Sequence, residues 1–281
     1  MTTKRLDTPG STPDPETVTP GDEHDVVIVD ARRRLLVLAA MCIALVAVVA
    51  SVSGLNVAQQ ALATDLGATQ SQLLWIINGY TLVLAALLMP VGAIGDRWGR
   101  KPILLVGFVV FSLSNLASAF STEPTTLIGL RVLAGVGAAM IMPVTLSVIT
   151  TSFPREEQAK AIGTWAGFAG AGGIIGLFVS AAIIDNPTWP WVFALPIALA
   201  AISFVLTTAF VPHSVEHTEG GFDVAGSILS VIAVGGLVLA FHEGPEQGWN
   251  AAITVAALAA GLIGAAAFVA VELRRDHPLL D

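Results

Sequence analysis

Long apolar runs alternate with short polar segments along most of the chain. Eight runs reach about 18 residues or more, the length at which an α-helix can cross the hydrocarbon core of a bilayer. They lie at Leu35–Leu55, Leu73–Ile94, Pro102–Phe120, Leu127–Ile149, Ala161–Ile184, Trp191–Val211, Val224–Phe241 and Ala251–Val271. A helix satisfies its own backbone hydrogen bonds, which lipid cannot do. The pattern therefore predicts an all-α integral membrane protein with about eight transmembrane helices.

The composition supports this prediction. Hydrophobic residues make up 54% of the chain, charged residues make up 12%, and the mean hydropathy is +0.78, which excludes an ordinary soluble protein. Residues 1–31 differ, because they are polar with little to bury, and they are predicted to form a disordered tail. Cys42 is the only cysteine, which excludes a disulfide within the chain and a thiolate metal cluster. Neither a metal site nor a cofactor is predicted.

The positive charges predict the orientation in the membrane. Lys and Arg precede the first helix, follow the eighth, and lie between helices 2 and 3 and between helices 4 and 5. The segments on the other side carry none. The positive-inside rule then places both termini, and with them 1–31 and 272–281, on the cytoplasmic side of the plasma (cell inner) membrane. Residues 212–223 contain no Lys or Arg, so helix count alone predicts a cytoplasmic loop there.

The segment between helices 2 and 3 is short, basic and rich in glycine. Its notable residues are Gly92, Gly95, Asp96, Arg97, Gly99, Arg100 and Lys101. One interpretation is a loop that merely obeys the positive-inside rule. The other is a functional turn, in which the glycines let the chain reverse and Asp96 pairs with the cations. The coincidence of glycines, acid and spacing favours the functional interpretation.

These residues resemble the signature loop of the major facilitator superfamily. Arg131–Ala139 on helix 4, Leu55–Ala58 and Phe222–Gly226 are similar to elements of its fourteen-helix drug:proton antiporters. The resemblance runs from about Arg32 to Asp281 and implies a six-helix N-terminal bundle over 32–211. It also implies two linker helices over 224–271. In this family the transport site lies between two six-helix halves, and the second half is not in the sequence.

The resemblance implies roles for particular residues. The basic turn is expected to act as a conformational latch, in which Asp96 pairs with neighbouring cations and with a helix N-terminus of the opposite half. Arg131 is expected to serve proton coupling or the recognition of substrate charge, since a cation inside a membrane helix is costly. The alternative for Arg131 is snorkelling of its side chain to the outer headgroups. Related antiporters often carry an acid on helix 1 at the position of Ser51.

Small and polar residues give two further predictions. A polar substrate cavity is predicted from Ser51, Asn56, Asn78 and Tyr80, with hydrogen bonding between helices as the alternative. Close helix packing is predicted where small residues recur on helices 4 and 5. The residues concerned are Gly135, Gly137, Gly163, Gly167, Gly170, Gly173 and Gly176.

The sequence predicts transport and gives no support for an enzyme, because the common catalytic and phosphate-binding motifs are missing. The expected function is proton-coupled export of drugs or other lipophilic or amphipathic small molecules. The alternative is a non-transporting or partner-dependent half-transporter subunit, or a truncated remnant. The expected partners are the lipid bilayer, a small-molecule substrate, protons, and a second half-transporter chain or a second copy of this chain. Nucleic acid is not among them.

Overall fold

The structure is a computed structural model, which describes residues 28, 30–184, 189–212 and 223–273. Within these residues there are eight helices long and apolar enough to span a membrane. The α-helices are α1 Ala31–Leu66, α2 Gln70–Trp98, α3 Arg100–Ala119, α4 Pro124–Ser152, α5 Arg155–Ile184, α6 Ala194–Phe210, α7 Val224–Gln247 and α8 Ala252–Glu272. The sixth span, Trp189–Phe210, comprises α6 and the residues just before it. A short 3₁₀ segment, Trp189–Phe193, leads into α6. The predicted all-α membrane architecture is confirmed.

Capping residues explain why several helices are longer than their apolar runs. The side chain of Asp30 accepts a hydrogen bond from the backbone N–H of Arg32, so α1 begins before the apolar run. It ends at Gly67, whose φ of 62° stops a helix without strain. Thr69 and Gln72 form a reciprocal capping box at the start of α2. The apolar runs alone predicted neither the start of α1 nor the short junction between α1 and α2.

Parts of three predicted segments lie outside the described residues. These are most of the tail 1–31, residues 213–222 of the predicted loop 212–223, and residues 274–281 of the predicted C-terminal segment 272–281. The end of the tail is an exception, and there the prediction of disorder is wrong. Ile28 is buried, and its backbone N–H donates to the carbonyl of Ser152 at the end of α4. Ala31 is already in α1.

The helices pack in two groups joined through α2. Helix α1 packs against α5 and α6, α4 packs against α2 and α3, and α1 and α4 touch each other between these pairs. Helices α7 and α8 form a hairpin that joins the bundle through contacts between α7 and α2. We call the end that carries Arg32–Arg34, Arg97–Lys101, Arg155 and Lys160 the basic end. Separate clusters of buried apolar side chains fill the two ends of the bundle.

Glycines permit the closest contacts between helices. A Cβ atom on Gly137 would lie 2.6 Å from the backbone nitrogen of Phe111 in α3, and one on Gly135 would lie 2.6 Å from the carbonyl oxygen of Tyr80 in α2. On α5, a Cβ atom on Gly176 would lie 2.8 Å from the Cα atom of Ala50. These distances are far shorter than van der Waals contact, so only glycine allows the helices to approach this closely. These three glycines thus lie where two helices approach most closely.

The prediction fails for the other four glycines of α5 that were predicted to pack closely. A Cβ atom on Gly163, Gly167 or Gly170 would have no neighbouring atom within 4 Å, so these three positions face open space. Gly173 makes only an ordinary contact with Ser53, at 3.6 Å. The glycines of α5 therefore occupy different faces of the helix, and the face towards α1 takes those spaced four residues apart. A list of small residues could not distinguish the two faces.

Two glycine substitutions on α5 are expected to change stability in opposite directions. Gly176→Ala would place a methyl group against the backbone of α1 and should destabilise the protein by about 1–3 kcal/mol through overpacking. Gly170→Ala would place it in open space and should stabilise the helix by about 0.5–1 kcal/mol. Thermal unfolding of the two purified variants in detergent would measure this difference. Equal effects would contradict the close α1–α5 contact.

Candidate functional site

Arg131 lies completely buried between α1, α2 and α4. Its Nε donates to the carbonyl oxygen of Ile76 at 3.2 Å, and its Nη1 donates to Oγ of Ser51 at 3.0 Å. Its guanidinium carbon lies 4.4 Å from the centre of the Tyr80 ring, a cation–π contact. These contacts hold the side chain inside the bundle. The alternative that Arg131 snorkels to the headgroups is therefore wrong.

Ser51 connects Arg131 to a third and a fourth helix. Its hydroxyl accepts from Arg131 and donates to Oδ1 of Asn115 in α3 at 3.1 Å. Asn115 in turn donates to the carbonyl oxygen of Phe111 at 2.8 Å, and the hydroxyl of Tyr80 donates to the carbonyl oxygen of Val48 at 3.0 Å. Each polar side chain in this network is buried and has a partner, as low dielectric requires.

The charge of Arg131 has only neutral partners. No carboxylate in the described residues forms an ion pair with it, and its contacts are carbonyls, a hydroxyl and an aromatic face. Position 51 holds a serine, whereas the resemblance suggested an acid at this position. This leaves a permanent positive charge in the middle of a helical bundle. Such a charge favours the ionised form of any acid that approaches it.

The four residues of the predicted cavity lie in three different places. Ser51 and Tyr80 belong to the network around Arg131. Asn78 faces α7, where its amide lies 3.1 Å from Nδ1 of His242. Asn56 is exposed and bonds only within α1, so it remains a candidate for contact with a substrate. The structure supports the alternative, hydrogen bonding between helices, for Ser51, Asn78 and Tyr80.

The contact of Asn78 leads to two titratable residues that sequence reasoning placed in a loop. The hydropathy signal ends near Phe241, but α7 continues to Gln247 and ends at Gly248, whose φ is 96°. His242 and Glu243 are therefore helical and nearly buried, with Nε2 and Oε1 3.7 Å apart. The ring of Trp75 packs edge-on against His242, and Gln247 donates to Glu243. The glycine after Gln247 was the signal available in the sequence.

The basic turn is shorter than predicted. Only Gly99 separates α2 from α3, and its φ of 103° is a conformation that other residues rarely adopt. Gly92 and Gly95 do not take part in the reversal, because they lie within the last turns of α2. A Cβ atom on Gly95 would lie 2.8 Å from a methyl group of Val144, so this glycine serves the contact between α2 and α4. The prediction that all three glycines form the turn is thus wrong for two of them.

Asp96 and Arg100 form a bonded triangle with Ser147 of α4. Nε of Arg100 lies 2.9 Å from Oδ1 of Asp96 and 2.6 Å from Oγ of Ser147, which itself donates to Asp96 at 2.6 Å. The carboxylate is 41% exposed whereas the guanidinium is only 7% exposed. Asp96 therefore keeps an open side through which it could contact another chain. The arrangement joins the ends of α2, α3 and α4.

Lys101 has a different role from its neighbours. Its Nζ is directed to the end of α6, where it donates to the carbonyl oxygens of Thr208 at 2.9 Å and Val211 at 2.8 Å. These carbonyls lack partners within their own helix, so the ammonium group caps it. Arg97 lies in the last turn of α2 and also makes contacts. The predicted latch residues thus lie close together, but Lys101 stabilises the end of α6.

Comparison with known proteins identifies the family to which this architecture belongs. A model of the Major Facilitator Superfamily matches residues 39–271. The chain belongs to this superfamily.

Proteins named for drug resistance or drug efflux are similar over most of the chain. The multidrug resistance protein Stp of Mycobacterium tuberculosis strain CDC 1551 is 30% identical over 251 residues, which are 89% of this chain and 47% of Stp. The multidrug efflux pump LfrA of Mycolicibacterium smegmatis is 35% identical over 221 residues, 78% of this chain and 44% of LfrA. The methyl viologen resistance protein SmvA of Salmonella typhimurium strain LT2 is 31% identical, covering 89% of this chain and 50% of SmvA. The chain spans about half the length of these relatives.

Solved major facilitator structures share the fold. The proton:xylose symporter XylE aligns with a TM-score of 0.59 at 14% identity, over 86% of this chain and 55% of that one. A bacterial homologue of the human lysosomal transporter Spinster, in an inward-facing conformation, aligns with a TM-score of 0.55 at 16% identity. The alignment covers 86% of this chain and 62% of the homologue. At these identities the likeness concerns the fold alone.

Replacing Ser51 tests whether Arg131 lacks a partner of opposite charge. Ser51→Asp and Ser51→Asn have nearly the same shape, but only Asp carries a charge next to the guanidinium, 3.0 Å from the present hydroxyl. We expect the Asp variant to be the more stable by about 1.5–3 kcal/mol, the value of a hydrogen bond to a charged group. Thermal unfolding at neutral pH would compare them. Equal stability would mean that the neutral partners already suffice for Arg131.

Two substitutions at the basic turn separate packing from function. Lys101→Met would leave two carbonyls of α6 without a donor and should cost about 1–3 kcal/mol. Asp96→Asn should cost less than about 1 kcal/mol, because the carboxylate is partly exposed. Thermal unfolding measures both, with Arg155→Gln on the exposed start of α5 as the control. An Asp96 variant less stable than the Lys101 variant would contradict these assignments.

Proposed function

We propose that this chain exports drugs or other lipophilic and amphipathic small molecules in exchange for protons, as the N-terminal half of a major facilitator. The similarity of most of the chain to proteins named for multidrug, methyl viologen and methylenomycin resistance carries the proposal. The superfamily accounts for a transport function and gives no ground for an enzyme. We place the basic end on the cytoplasmic side, following the charge bias.

Asp96 is the proposed latch residue. In the present arrangement it is tied to Arg100 and Ser147, and its exposed side is the one part of this triangle free to meet a helix terminus of another half. A carboxylate at the positive end of a helix is worth about 0.3–2 kcal/mol. This amount is enough to shift the balance between two access states that differ little in energy.

Arg131 is the proposed coupling residue. Its fixed charge lies where only neutral groups surround it, so an acid that approaches is favoured in the proton-free form. The complementary group, which gains and loses the proton, has a candidate in His242. Its Nδ1 lies 3.1 Å from the amide nitrogen of Asn78, and its Nε2 lies 3.7 Å from Oε1 of Glu243. Glu246 is the other acid on this part of α7.

The second candidate function is a half-transporter that works only with a partner. The chain spans about half of its relatives, and α5 exposes Gly163, Gly167 and Gly170 and, further along, the apolar side chain of Phe178. This face could receive a second six-helix half or a second copy of the chain. A subunit or remnant that does not transport is the limiting case of this alternative.

Efflux of ethidium, a fluorescent lipophilic cation, distinguishes these functions. Cells lacking their own efflux pumps would express the chain alone, with Asp96→Asn, Arg131→Ala and His242→Gln as variants and Arg155→Gln as the matched surface control. We expect efflux that a proton uncoupler abolishes, and efflux at least tenfold slower in the first two variants, which corresponds to about 1.4 kcal/mol on the rate-limiting barrier.

The outcomes separate the candidates. Efflux that resists the uncoupler would contradict proton coupling and leave export intact. No efflux from chain that inserts normally in the membrane would contradict transport by the chain alone and support the partner-dependent function. A slow Arg155→Gln variant would show that general loss of charge, rather than the latch and the coupling residue, limits the rate.

A further inference from the structure

Helices α1 and α5 cross closely in one half and separate towards the basic end. Facing residues recur every fourth position, at 46, 50 and 54 on α1 and at 172, 176 and 180 on α5. A Cβ atom on Gly172 would lie 3.0 Å from the Cα atom of Val46, and one on Gly54 would lie 2.5 Å from Oγ of Ser180. When these two rows of facing residues are followed towards the basic end, their side chains become larger. The helices cannot keep the close contact there.

A groove opens where the rows separate. Its apolar part has a volume of about 320 Å³ and is lined by Leu38, Ala39, Cys42, Ile43 and Phe168, among others. Its outer part has a volume of about 390 Å³ and includes Arg34, Glu157, Lys160 and Thr164. Leu35, Leu38 and Thr164 line both parts, so the two form one continuous groove. Polar groups lie at the mouth and hydrocarbon side chains lie within.

The mouth holds two cations with capacity to bind. Nη2 of Arg34 lies 3.3 Å from Oε1 of Glu157, and Nη1 donates to the carbonyl oxygen of Ile28 at 3.3 Å. A guanidinium has five N–H donors, so these contacts leave others for a ligand. Lys160 is exposed, and its side chain makes no hydrogen bond or ion pair within the described part of the chain. Both cations face the same opening.

We propose that the α1–α5 groove binds an anionic phospholipid, such as phosphatidylglycerol, from the leaflet at the basic end. The phosphodiester lies between Arg34 and Lys160, because a guanidinium matches two phosphate oxygens and an ammonium adds a second charge. One acyl chain enters the apolar part past Leu38 and Phe168. Basic pockets between membrane helices bind such headgroups, and a juxtamembrane cation contributes measurably to the attraction.

Substitution of Glu157 provides a control for the substitution of Arg34. The carboxylate of Glu157 competes with the phosphate for Arg34 and repels the phosphate. It is also the partner of Arg34 in the ion pair that a substitution of Arg34 would break. Arg34→Gln and Glu157→Gln therefore break the same ion pair and change lipid binding in opposite directions, and only Arg34→Gln also removes the hydrogen bond to Ile28. A purely structural role for the pair would make the two variants behave alike.

Native mass spectrometry of the purified chain in detergent, with equal amounts of phosphatidylglycerol and phosphatidylcholine, tests the site. We expect the double variant Arg34→Gln/Lys160→Gln to bind phosphatidylglycerol about tenfold or more weakly, since two surface cations are lost. Glu157→Gln should bind it as well as the unchanged chain or better. Ala39→Leu, which fills the apolar part, should weaken both lipids, and Arg155→Gln, outside the groove, should change neither.

Four results would overturn the proposal. They are equal losses in the double variant and in Arg155→Gln, a loss in Glu157→Gln, equal retention of both lipids by the unchanged chain, and an Ala39→Leu variant with unaltered binding. Lys160→Gln alone decides the matter if the double variant fails to fold, because the exposed Lys160 side chain makes no hydrogen bond or ion pair among the described residues. Displacement of the lipid by soluble glycerophosphate would show that the acyl chain is not held.

Discussion

The fold depends on the need to provide partners for one charge buried in hydrocarbon. Arg131 finds them on α1 and α2, and Ser51 extends the network to α3, so four helices are fixed around it. The approach requires a glycine, because Gly135 lets α4 lie against the carbonyl of Tyr80, whose ring then faces the guanidinium. Small residues and the buried charge are therefore parts of one arrangement, in which packing makes the polar contacts possible.

The basic turn repeats the same logic at the other end of α4. Ser147 lies sixteen residues after Arg131, about 24 Å along the helix, and it bonds Asp96 and Arg100. Both polar sites join α4 to α2, one at each end. A displacement of α4 along α2 would disturb the two sites together. This physical link requires no chain of intermediate residues, since a helix transmits the displacement as a rigid element.

Sequence alone predicted the features that depend on local chemistry. Hydropathy located all eight spans, and the motif around Asp96 indicated a bonded cluster, because both signals are contained in a few adjacent residues. It could not predict that Lys101 caps α6 or that Asn78 faces His242, since those partners lie more than a hundred residues away. Helix ends were also misplaced where capping residues, rather than apolar ones, continue the helix, as in α7.

Half of a major facilitator can be stable without being able to transport. The backbone hydrogen bonds of a membrane helix are made within that helix, and lipid can cover exposed apolar side chains such as Phe178. Insertion into the membrane therefore does not require a partner. Alternating access is different, because it needs two halves that move against each other around a site. Arg131 is held entirely by helices of this half, so its charge is set before any partner arrives. Asp96, with its exposed carboxylate, can respond only when something approaches it. Arg131 thus has its partners within this part of the chain, whereas the exposed side of Asp96 is open to another surface.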